Sequence, residues 1–466
     1  MFDLIQYANN PCLAGDGQAY SYAEVQLEAD RMGAAVQGRH LVLCLCENSV
    51  PSLMGYIALM VQGQVPLLIE AGQQAAAVQA LAAAYRPGYV WLDNARSGEL
   101  ADATPVYRFG HYVLLKTALA EAPTVLDAQL QLLLTTSGST GSSKLVRLSR
   151  ANLLANAAAI TAYLAIRADD VAVTTLPFSY SFGLSIVHTH LLAGAAIQVT
   201  TLTPLSREFW ELLQQQRVTS LSGVPYTYDM LKRIKFERFE LPALRYLSQA
   251  GGKMSEQGLA YLQRLSAEKG WPCFVMYGQT EASARMAYLP AAWLERKLGS
   301  IGHAIPGGRF ELIDADGQLI ADPRVPGELV YYGANVALGY ASGAADLARG
   351  DEWGGRLATG DVAYRDEDGC YYISGRLKRF VKVFGNRVSL DEVEALLQAA
   401  YPGCEFVCHG QDDHLRIACA GEAGRDGLLA FVSRQLGLHR SAISCAFIAE
   451  IPRLANGKVN YNALNQ

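Results

Sequence analysis

The chain has 466 residues, 51% hydrophobic and 18% charged, which suffices for a sizeable core in one large and one small domain. Its 39 basic and 44 acidic residues give a net charge of −5, which argues against nucleic acid or an anionic membrane as a partner. No signal peptide, no bilayer-length apolar run and no repeated cysteine pair spacing are visible, so we expect a cytoplasmic protein.

Strand and helix patterns alternate through most of residues 1–330. Apolar runs rich in β-branched and aromatic residues predict strands, and longer Ala- and Leu-rich segments predict helices. This alternation predicts α/β layers in which helices cover sheets. The predicted strands include Leu41–Cys46, Tyr89–Leu92 and Ala195–Thr201, and the predicted helices include Gln73–Tyr85 and Leu153–Tyr163, the latter with Ser149 as its N-cap.

A loop rich in glycine and hydroxyl groups follows the apolar strand Leu132–Leu134. Glycine lets backbone N–H groups approach a ligand, hydroxyls donate to phosphate oxygens, and lysine adds a positive charge. A Walker P-loop is disfavoured because Ser142 follows Gly141, and a solvated linker is disfavoured because a second strand, Leu145–Leu148, comes next. We therefore predict a polyphosphate-binding loop that comprises Thr136, Ser137, Gly138, Ser139, Thr140, Gly141, Ser142, Ser143 and Lys144.

A second ligand-binding pattern begins with the predicted strand Phe274–Tyr277 and its following loop, Gly278–Glu281. Open α/β sheets bind ligands at the carboxyl ends of their strands. At such an end Tyr277 can stack on a flat ring, Thr280 can bond a phosphate, and Glu281 can reach Mg²⁺. Alone, these residues would equally fit an edge tyrosine and a surface glutamate.

The predicted pattern of secondary structure changes near the acidic turn Asp366–Gly369. Before it, Asp361 follows a glycine and suits the two hydroxyls of a ribose. After it, a small α+β unit begins, whose Ser389 starts a capping box and whose helix continues with Val393, Leu396, Leu397 and Ala400 at helical spacing. We place the boundary at Lys378, giving domains 1–377 and 378–466.

Two features of the small unit have both an ordinary and a functional interpretation. Cys404 and Cys408-His409 could be metal ligands, but a core strand is favoured because no second pair matches. Near the C-terminus, Lys458 follows Asn456-Gly457 on a predicted tight turn. An isolated exposed lysine is usually a solvated charge.

Seven segments in order resemble the adenylate-forming superfamily, which includes acyl-CoA synthetases, amino-acid-activating domains and firefly luciferase. The resemblance covers nearly the whole chain and is far more specific than any one segment. It implies a large N-terminal domain of layered α/β sheets, joined by a hinge to a small mobile α+β C-terminal domain. The segments are Thr136–Lys144, Ser248–Gly252, Tyr277–Glu281, Gly327–Gly333, Thr359–Asp361, Gly375–Lys378 and Asn456–Lys458.

The resemblance implies a reaction in which a carboxylate attacks the α-phosphate of ATP, giving an acyl-adenylate and pyrophosphate. The 136–144 loop would hold the β- and γ-phosphates, and Tyr277 with Gly251-Gly252 would sandwich adenine. Thr280 would bind phosphate and Glu281 would hold Mg²⁺. Asp361, helped by Arg376, would grip the ribose.

The second half-reaction would pass the acyl group to a pantetheine thiol, either of CoA or of a carrier protein. Lys458 matches the family's adenylation lysine, and Lys378 matches its hinge. Rotation about the hinge would exchange Lys458 for the segment that begins at Lys382, where Gly385 would let the pantetheine arm pass.

The chain departs from the family pattern at three places. Ser143 stands where proline is usual, Tyr180 stands where acyl-CoA synthetases often have a gating histidine, and Asn460-Tyr461 replaces a common Asp-Arg. The segment around Tyr180 has no carboxylate to pair an ammonium, which favours an acid without an α-amino group. An aryl or short acyl acid fits the predicted pocket of Tyr180, Phe182, Ser222, Gly223, Tyr226 and Ala250.

Three functions stay open from the sequence. The first is an AMP-forming acid–thiol ligase, the second an adenylating enzyme that transfers the acyl group to an amine, and the third an idle binding protein on this fold. The presence of Glu281, Asp361, Arg376 and Lys458 argues against idleness. The acceptor and the acid are not decided.

Overall fold

The computed structural model describes residues 3–100, 103–135, 144–377, 379–383, 386–411, 413–421, 424–454 and 456–464. The predicted phosphate-loop residues 136–143, the predicted hinge residue Lys378 and Gly385 lie outside these ranges. The described strands are β1 (Pro11–Gly15), β2 (Gln18–Ser21), β3 (Leu41–Cys46), β4 (Val65–Glu70), β5 (Tyr89–Asp93), β6 (Thr104–Phe109), β7 (Tyr112–Lys116), β8 (Leu130–Thr135), β9 (Leu145–Ser149), β10 (Val171–Val173), β11 (Ala196–Gln198), β12 (Ser220–Gly223), β13 (Tyr246–Gln249), β14 (Cys273–Tyr277), β15 (Ala287–Leu289), β16 (His303–Ala304), β17 (Arg309–Ile313), β18 (Gly327–Tyr332), β19 (Gly339–Ala341), β20 (Arg356–Arg365), β21 (Tyr371–Arg376), β22 (Phe380–Val383), β23 (Asn386–Ser389), β24 (Glu405–Gln411), β25 (His414–Ala420) and β26 (Ile443–Ile448).

The helices within the same ranges are α1 (Tyr22–Ala34), α2 (Val50–Val61), α3 (Ala75–Tyr85), α4 (Arg150–Leu164), α5 (Ser181–Ala193), α6 (Arg207–Gln215), α7 (Pro225–Arg233), α8 (Glu256–Lys269), α9 (Leu390–Ala400), α10 (Arg425–Leu436) and α11 (Tyr461–Leu464). None of these helices combines the length and the apolarity that crossing a bilayer requires.

The chain divides into two compact units. The first comprises Met1–Arg309 and Tyr331–Leu357, and the second comprises Phe310–Val330 and Ala358–Gln466. A large α/β unit of layered sheets and a smaller α+β unit confirm the predicted fold class. The predicted boundary at residue 378 and the predicted hinge there stay predictions.

Two large sheets build the first unit. In the described residues one has the strand order β16-β15-β14-β13-β12-β10-β11-β1-β2, and the other has the order β19-β9-β8-β4-β3-β5-β7-β6. Strands β12, β13 and β14 are parallel neighbours. Their carboxyl ends therefore meet at one edge of the sheet, where ligands bind in open α/β folds.

Strand β3 shows why its sheet is covered on both faces. Leu43 packs in a core with α3, whereas Cys44 and Cys46 belong to a core with α2 and α5. Successive side chains of a strand point to opposite faces, so the two cysteines share one face, as predicted. Helix α2 lies so close to β5 that a side-chain carbon at Gly55 would overlap the Trp91 ring.

Local capping explains the predicted helix that follows β9. Helix α4 spans Arg150–Leu164 and begins at Ser149, whose hydroxyl accepts the N–H of Asn152. The Asn152 side chain accepts the Ser149 N–H in return. This reciprocal capping satisfies two backbone donors and fixes the first turn. Serine at 149 is thus confirmed as the N-cap.

The second unit contains three smaller sheets among its described residues, with orders β17-β18-β20-β21, β22-β23 and β24-β25-β26. Its core joins Val393 and Leu397 of α9 to Cys408 of β24, and Cys404 is buried in the same core. Cys408 therefore lies on a core strand as predicted, whereas Cys404 is buried in the core immediately before that strand. Leu396, although at helical spacing, is 40% exposed.

Two histidines of the buried helix α5 make stability depend on pH. Burial lowers the pKa of His188 to about 3 and that of His190 to about 4. An unfolded histidine has a pKa near ~6.5, so below that pH the unfolded chain binds protons that the folded chain does not. Each histidine should therefore lower the free energy of unfolding by about 1.4 kcal/mol per pH unit between roughly pH 6 and pH 4.5.

Urea unfolding of the protein between pH 7 and pH 4.5 measures this slope. The variant His188→Gln should reduce the slope by about 1.4 kcal/mol per pH unit, because one titrating group is removed. The matched control is His439→Gln, since His439 is exposed. A slope that is unchanged in His188→Gln would contradict the assignment.

Candidate nucleotide and acyl site

Three neighbouring strand ends bring several predicted site residues to one edge of a sheet. Strand β12 ends at Gly223, β13 is followed by Ala250-Gly251, and β14 ends at Tyr277. The N–H of Ala250 donates to Gly223 O at 3.3 Å. The side chain of Tyr277 is half-buried at this edge. Predicted adenine-binding and acyl-binding residues are thus adjacent.

Gly251 is required by both its conformation and its surroundings. Its φ is +85°, and a side-chain carbon there would lie 2.7 Å from the hydroxyl oxygen of Tyr180. Only glycine adopts this conformation readily without strain. Burial raises the pKa of Tyr180 to about 12, so its hydroxyl keeps its proton at neutral pH. The predicted gate residue Tyr180 therefore presents a neutral hydroxyl beside the predicted adenine segment.

The predicted acyl-pocket residues form one hydrophobic cluster. Phe182 and Ala250 are buried in it, and Tyr180 and Tyr226 pack against it. The two other predicted residues, Ser222 and Gly223, are buried at the end of β12. Ser222 Oγ lies 2.7 Å from Ser248 Oγ on the next strand. The cluster offers aromatic faces and a few hydroxyls, which suits a small acid.

Glu281 and Lys144 meet at a residue that the sequence did not indicate. Tyr340 donates its hydroxyl to Glu281 Oε1 at 2.8 Å, and the Lys144 Nζ lies 3.5 Å from the centroid of the Tyr340 ring. Burial first, and then the Glu281 charge, raises the pKa of Tyr340. A carboxylate has two oxygens and about four lone pairs, so Glu281 keeps capacity for a cation. Tyr340 thus fixes the predicted metal ligand beside the last residue of the predicted phosphate loop.

Thr280 lies on the same turn as Glu281. The short turn Thr280–Ala282 follows β14, and Thr280 Oγ1 lies 3.1 Å from Ser181 Oγ at the start of α5. Thr280 is 8% exposed. Its hydroxyl is therefore oriented by a neighbouring hydroxyl.

A buried asparagine holds the segment after Glu281. Asn335 Nδ2 donates to Ala282 O at 2.8 Å and to Arg285 O at 3.2 Å, and its Oδ1 accepts the hydroxyl of Tyr331 at 2.8 Å. Ser283 donates its hydroxyl to Asn335 O at 2.7 Å. These hydrogen bonds together fix the turn that contains Thr280 and Glu281. Sequence reasoning missed Asn335 because its partners are distant in the chain.

The predicted ribose residues lie together in the second unit. Asp361 on β20 is opposite Arg376 on β21, and Arg376 Nε lies 2.8 Å from Asp361 Oδ1. Asp361 is buried, whereas the Arg376 side chain is 60% exposed. The N–H of Asp361 donates to Thr359 Oγ1 at 3.1 Å. A buried carboxylate paired with an exposed arginine can bind neighbouring hydroxyls.

Lys458 and Lys382 lie on two different parts of the second unit. Lys458 ends a tight turn in which Gly457 has φ +78°, and its N–H donates to Asn456 Oδ1 at 3.1 Å. The predicted tight turn is therefore present. Lys382 is exposed on β22.

Tyr461, one of the departures from the family pattern, has a structural role. Arg379 donates to the Tyr461 hydroxyl at 2.9 Å and forms ion pairs with Asp391 and Glu394. Burial alone would lower the pKa of Arg379, but the hydrogen bond and charge of Glu394, with smaller contributions from Tyr461 and Asp391, more than offset it and raise the pKa. Tyr461 therefore packs the C-terminal helix α11 onto this ion-pair cluster.

The fold and these residues define a nucleotide-binding α/β protein with a ligand edge at the ends of β12, β13 and β14. Glycine, tyrosine, hydroxyl and carboxylate groups lie at this edge in the first unit. The second unit carries the Asp361–Arg376 pair and Lys458.

Comparison with known proteins identifies the family. The family model described as AMP-binding enzyme matches residues 4–341. The chain belongs to this adenylate-forming family, which confirms the resemblance in the motifs.

Relatives and solved structures extend the comparison. The sulfoacetate–CoA ligase of Cupriavidus necator is 30% identical over 70% of this chain and 65% of its own length. A 2-succinylbenzoate–CoA ligase of Bacillus cereus is 28% identical over 71% of this chain and 68% of its own length. The aligned part thus spans about two thirds of these relatives. The o-succinylbenzoate CoA synthetase of Bacillus subtilis, solved with an acyl-adenylate intermediate, is 21% identical with a TM-score of 0.78 and covers 99% of this chain and 97% of its own.

Proposed function

We propose that the protein activates a small carboxylic acid with ATP and then transfers the acyl group to a pantetheine thiol. The observation that carries this proposal is Glu281, held by Tyr340 beside Lys144 and next to Thr280 at the ligand edge. Proteins usually hold Mg²⁺ with one or two carboxylates near phosphate-binding groups, and the ion takes its other ligands from water and phosphate. The residues present therefore fit ATP with Mg²⁺.

In the first step a substrate carboxylate oxygen bonds to the α-phosphorus of ATP, and the bond to the bridging oxygen of pyrophosphate breaks. Glu281 would hold Mg²⁺, which neutralises charge on the phosphates. Lys144 and Thr280 would bind phosphate oxygens, together with residues 136–141. Tyr277 and Gly251-Gly252 would sandwich adenine, and Asp361 with Arg376 would bind the ribose. Lys458 would stabilise the negative charge that develops at the α-phosphate.

In the second step a thiolate sulfur attacks the acyl carbonyl carbon, and AMP leaves. We assign Lys382 and its hairpin to this step, and rotation about Lys378 to the change between steps. CoA or the phosphopantetheine of a carrier protein is the acceptor. CoA is favoured because both named relatives are CoA ligases.

The acid is proposed to be an aryl or short acyl acid without an α-amino group. The relatives named above act on sulfoacetate and 2-succinylbenzoate. In this chain the aromatic cluster around Tyr180 and Phe182 is the proposed acyl pocket. We place the activity in the cytoplasm, because all nine cysteines are buried and none is in a disulfide, which fits a reducing compartment. No nucleic acid or membrane partner is proposed.

Acid-dependent exchange of labelled pyrophosphate into ATP tests the first step. A panel of aryl, short acyl and amino acids should show exchange with at least one aryl or short acyl acid and little with amino acids. The best acid is then offered with CoA, a carrier protein or amines. Product with an amine alone would establish the amide-forming alternative, and no exchange with any acid would favour the idle binding protein.

A further inference from the structure

A buried arginine follows the turn that carries Thr280 and Glu281. Arg285 is 2% exposed and lies two residues before Ala287, which pairs with Tyr277 across β14 and β15. Its guanidinium carbon lies 4.9 Å from the ring centroid of Phe182, a residue of the proposed acyl pocket. A permanent positive charge is therefore buried at the wall of that pocket.

The backbone around Arg285 is strained and held in place. Ser283 and Ala284 have φ values of 60° and 122°, and neither is glycine. Such conformations are unfavourable for residues other than glycine and persist only where surrounding contacts impose them. Here Asn156 Nδ2 donates to Arg285 O at 2.7 Å, and Asn335 Nδ2 donates to the same oxygen at 3.2 Å. The unfavourable backbone conformation is therefore held by hydrogen bonds at the residue that positions the Arg285 side chain.

Two nitrogens of the Arg285 guanidinium are unsatisfied hydrogen-bond donors among the described residues. Nε and Nη1 of Arg285 are buried and have no hydrogen-bond partner within the described part of the chain. Burying a charge without a partner is costly, and buried charges are normally paired. The nearby groups do not supply the missing anion. Burial raises the pKa of Tyr163, and the Arg285 charge and hydrogen bond only partly oppose this, so the hydroxyl stays neutral.

His190 and Asp170 also fail to neutralise Arg285. Burial, with a further contribution from the Arg285 charge, lowers the pKa of His190 to about 4, so its ring is neutral at physiological pH. Asp170 uses Oδ2 for its ion pair with Arg245 and for the N–H of Arg167 at 2.8 Å, and its buried Oδ1 has no hydrogen-bond partner within the described residues, Arg285 included. Within the described residues no carboxylate therefore hydrogen-bonds to Nε or Nη1 of Arg285, which leaves both donors for the anion of a ligand.

We propose that Arg285 binds a second anionic group, a carboxylate or a sulfonate, on the acid that the protein activates. This inference rests on the proposed function, because it assumes that the acyl chain lies in the Phe182 cluster. One carboxylate is adenylated while the other anionic group accepts a hydrogen bond from Nε or Nη1 of Arg285. A guanidinium N–H donates a charge-assisted hydrogen bond to a carboxylate or sulfonate oxygen, which is about twice as strong as a neutral one.

Matched pairs of acids test the proposal by pyrophosphate exchange. The pairs are malonate with propionate, succinate with butyrate, and phthalate with benzoate, and 3-sulfopropanoate separates sulfonate from carboxylate recognition. For at least one pair, the wild-type protein should show a kcat/KM about 100-fold higher for the doubly anionic acid. Arg285→Met should lose that preference mainly through KM and should leave the singly charged acid within about threefold. Arg285→Lys should restore part of the preference.

A binding readout keeps the proposal distinct from the proposed function. Thermal unfolding without ATP should show stabilisation of the wild type by the preferred dianion and not by its monoanionic partner, and none in Arg285→Met. Arg296→Met is the matched control, because Arg296 is exposed and lies over Trp293. If the wild-type protein exchanged pyrophosphate faster with the monoanionic acids than with the dianionic ones, the role of Arg285 would be overturned. The proposed function would then still stand. No exchange with any acid would overturn the proposed function, and the binding readout would still decide on Arg285.

Discussion

Replacing Lys458 with alanine should lower the rate of acyl-adenylate formation by a factor of about 100 to 1,000. In the proposed step, negative charge grows on the α-phosphate and on the departing pyrophosphate oxygen. A cation at that point stabilises the transition state more than the substrate, so kcat should fall more than KM rises. The tight turn at Gly457 presents this lysine on a fixed backbone.

The same variant should keep the second step. When the purified acyl-adenylate and CoA are supplied, Lys458→Ala should form thioester at a rate within about threefold of the wild type, because Lys458 is not assigned to thiol attack. Lys382→Ala should give the reciprocal result, with normal pyrophosphate exchange and slow thioester formation. Arg440→Ala removes an exposed charge of the same unit and should change neither step. If Lys458→Ala slowed adenylate formation and thioester formation equally, the assignment of Lys458 to the first step and Lys382 to the second would be refuted.

The parts of the fold that depend on local sequence were predictable. Helix α4 begins where Ser149 and Asn152 cap each other, and both residues are visible within four positions of the chain. Strands β3 and β5 follow from apolar runs of strand length. Boundaries were less accurate: β11 covers Ala196–Gln198 rather than the predicted Ala195–Thr201. A strand ends where its neighbour stops pairing, and this cannot be read from its own residues.

Only those residues of the candidate site that belong to a sequence motif were predictable. Glu281, Thr280 and Tyr277 lie in one short segment, and the structure places them at the strand edge that the motif implied. Tyr340 and Asn335 were missed because they act on residues 59 and 50 positions away, respectively. Arg285 is flanked by the apolar residues Ala284 and Met286, and these neighbours only weakly indicate that its side chain is buried. That its Nε and Nη1 have no hydrogen-bond partner among the described residues is a property of the folded chain.

Replacing Glu281 with glutamine should lower adenylate formation by a factor of about 100 and raise the Mg²⁺ concentration that gives half-maximal rate. Glutamine keeps the size and one acceptor oxygen of the side chain but removes the negative charge that a hard cation prefers. The hydrogen bond from Tyr340 to Oε1 can persist, so the turn should keep its shape. The loss should therefore be electrostatic, with a melting temperature close to that of the wild type.

Titration of pyrophosphate exchange with Mg²⁺ at fixed ATP measures this effect. Tyr340→Phe should give an intermediate result, since it leaves the Glu281 charge but removes the hydroxyl that orients it. Glu295→Gln removes an exposed carboxylate from the same unit and serves as the control, with no expected change in the Mg²⁺ requirement. If Glu281→Gln kept the wild-type Mg²⁺ requirement, the metal role of Glu281 would be wrong. A loss of rate would then have to come from the position of Thr280 on the same turn.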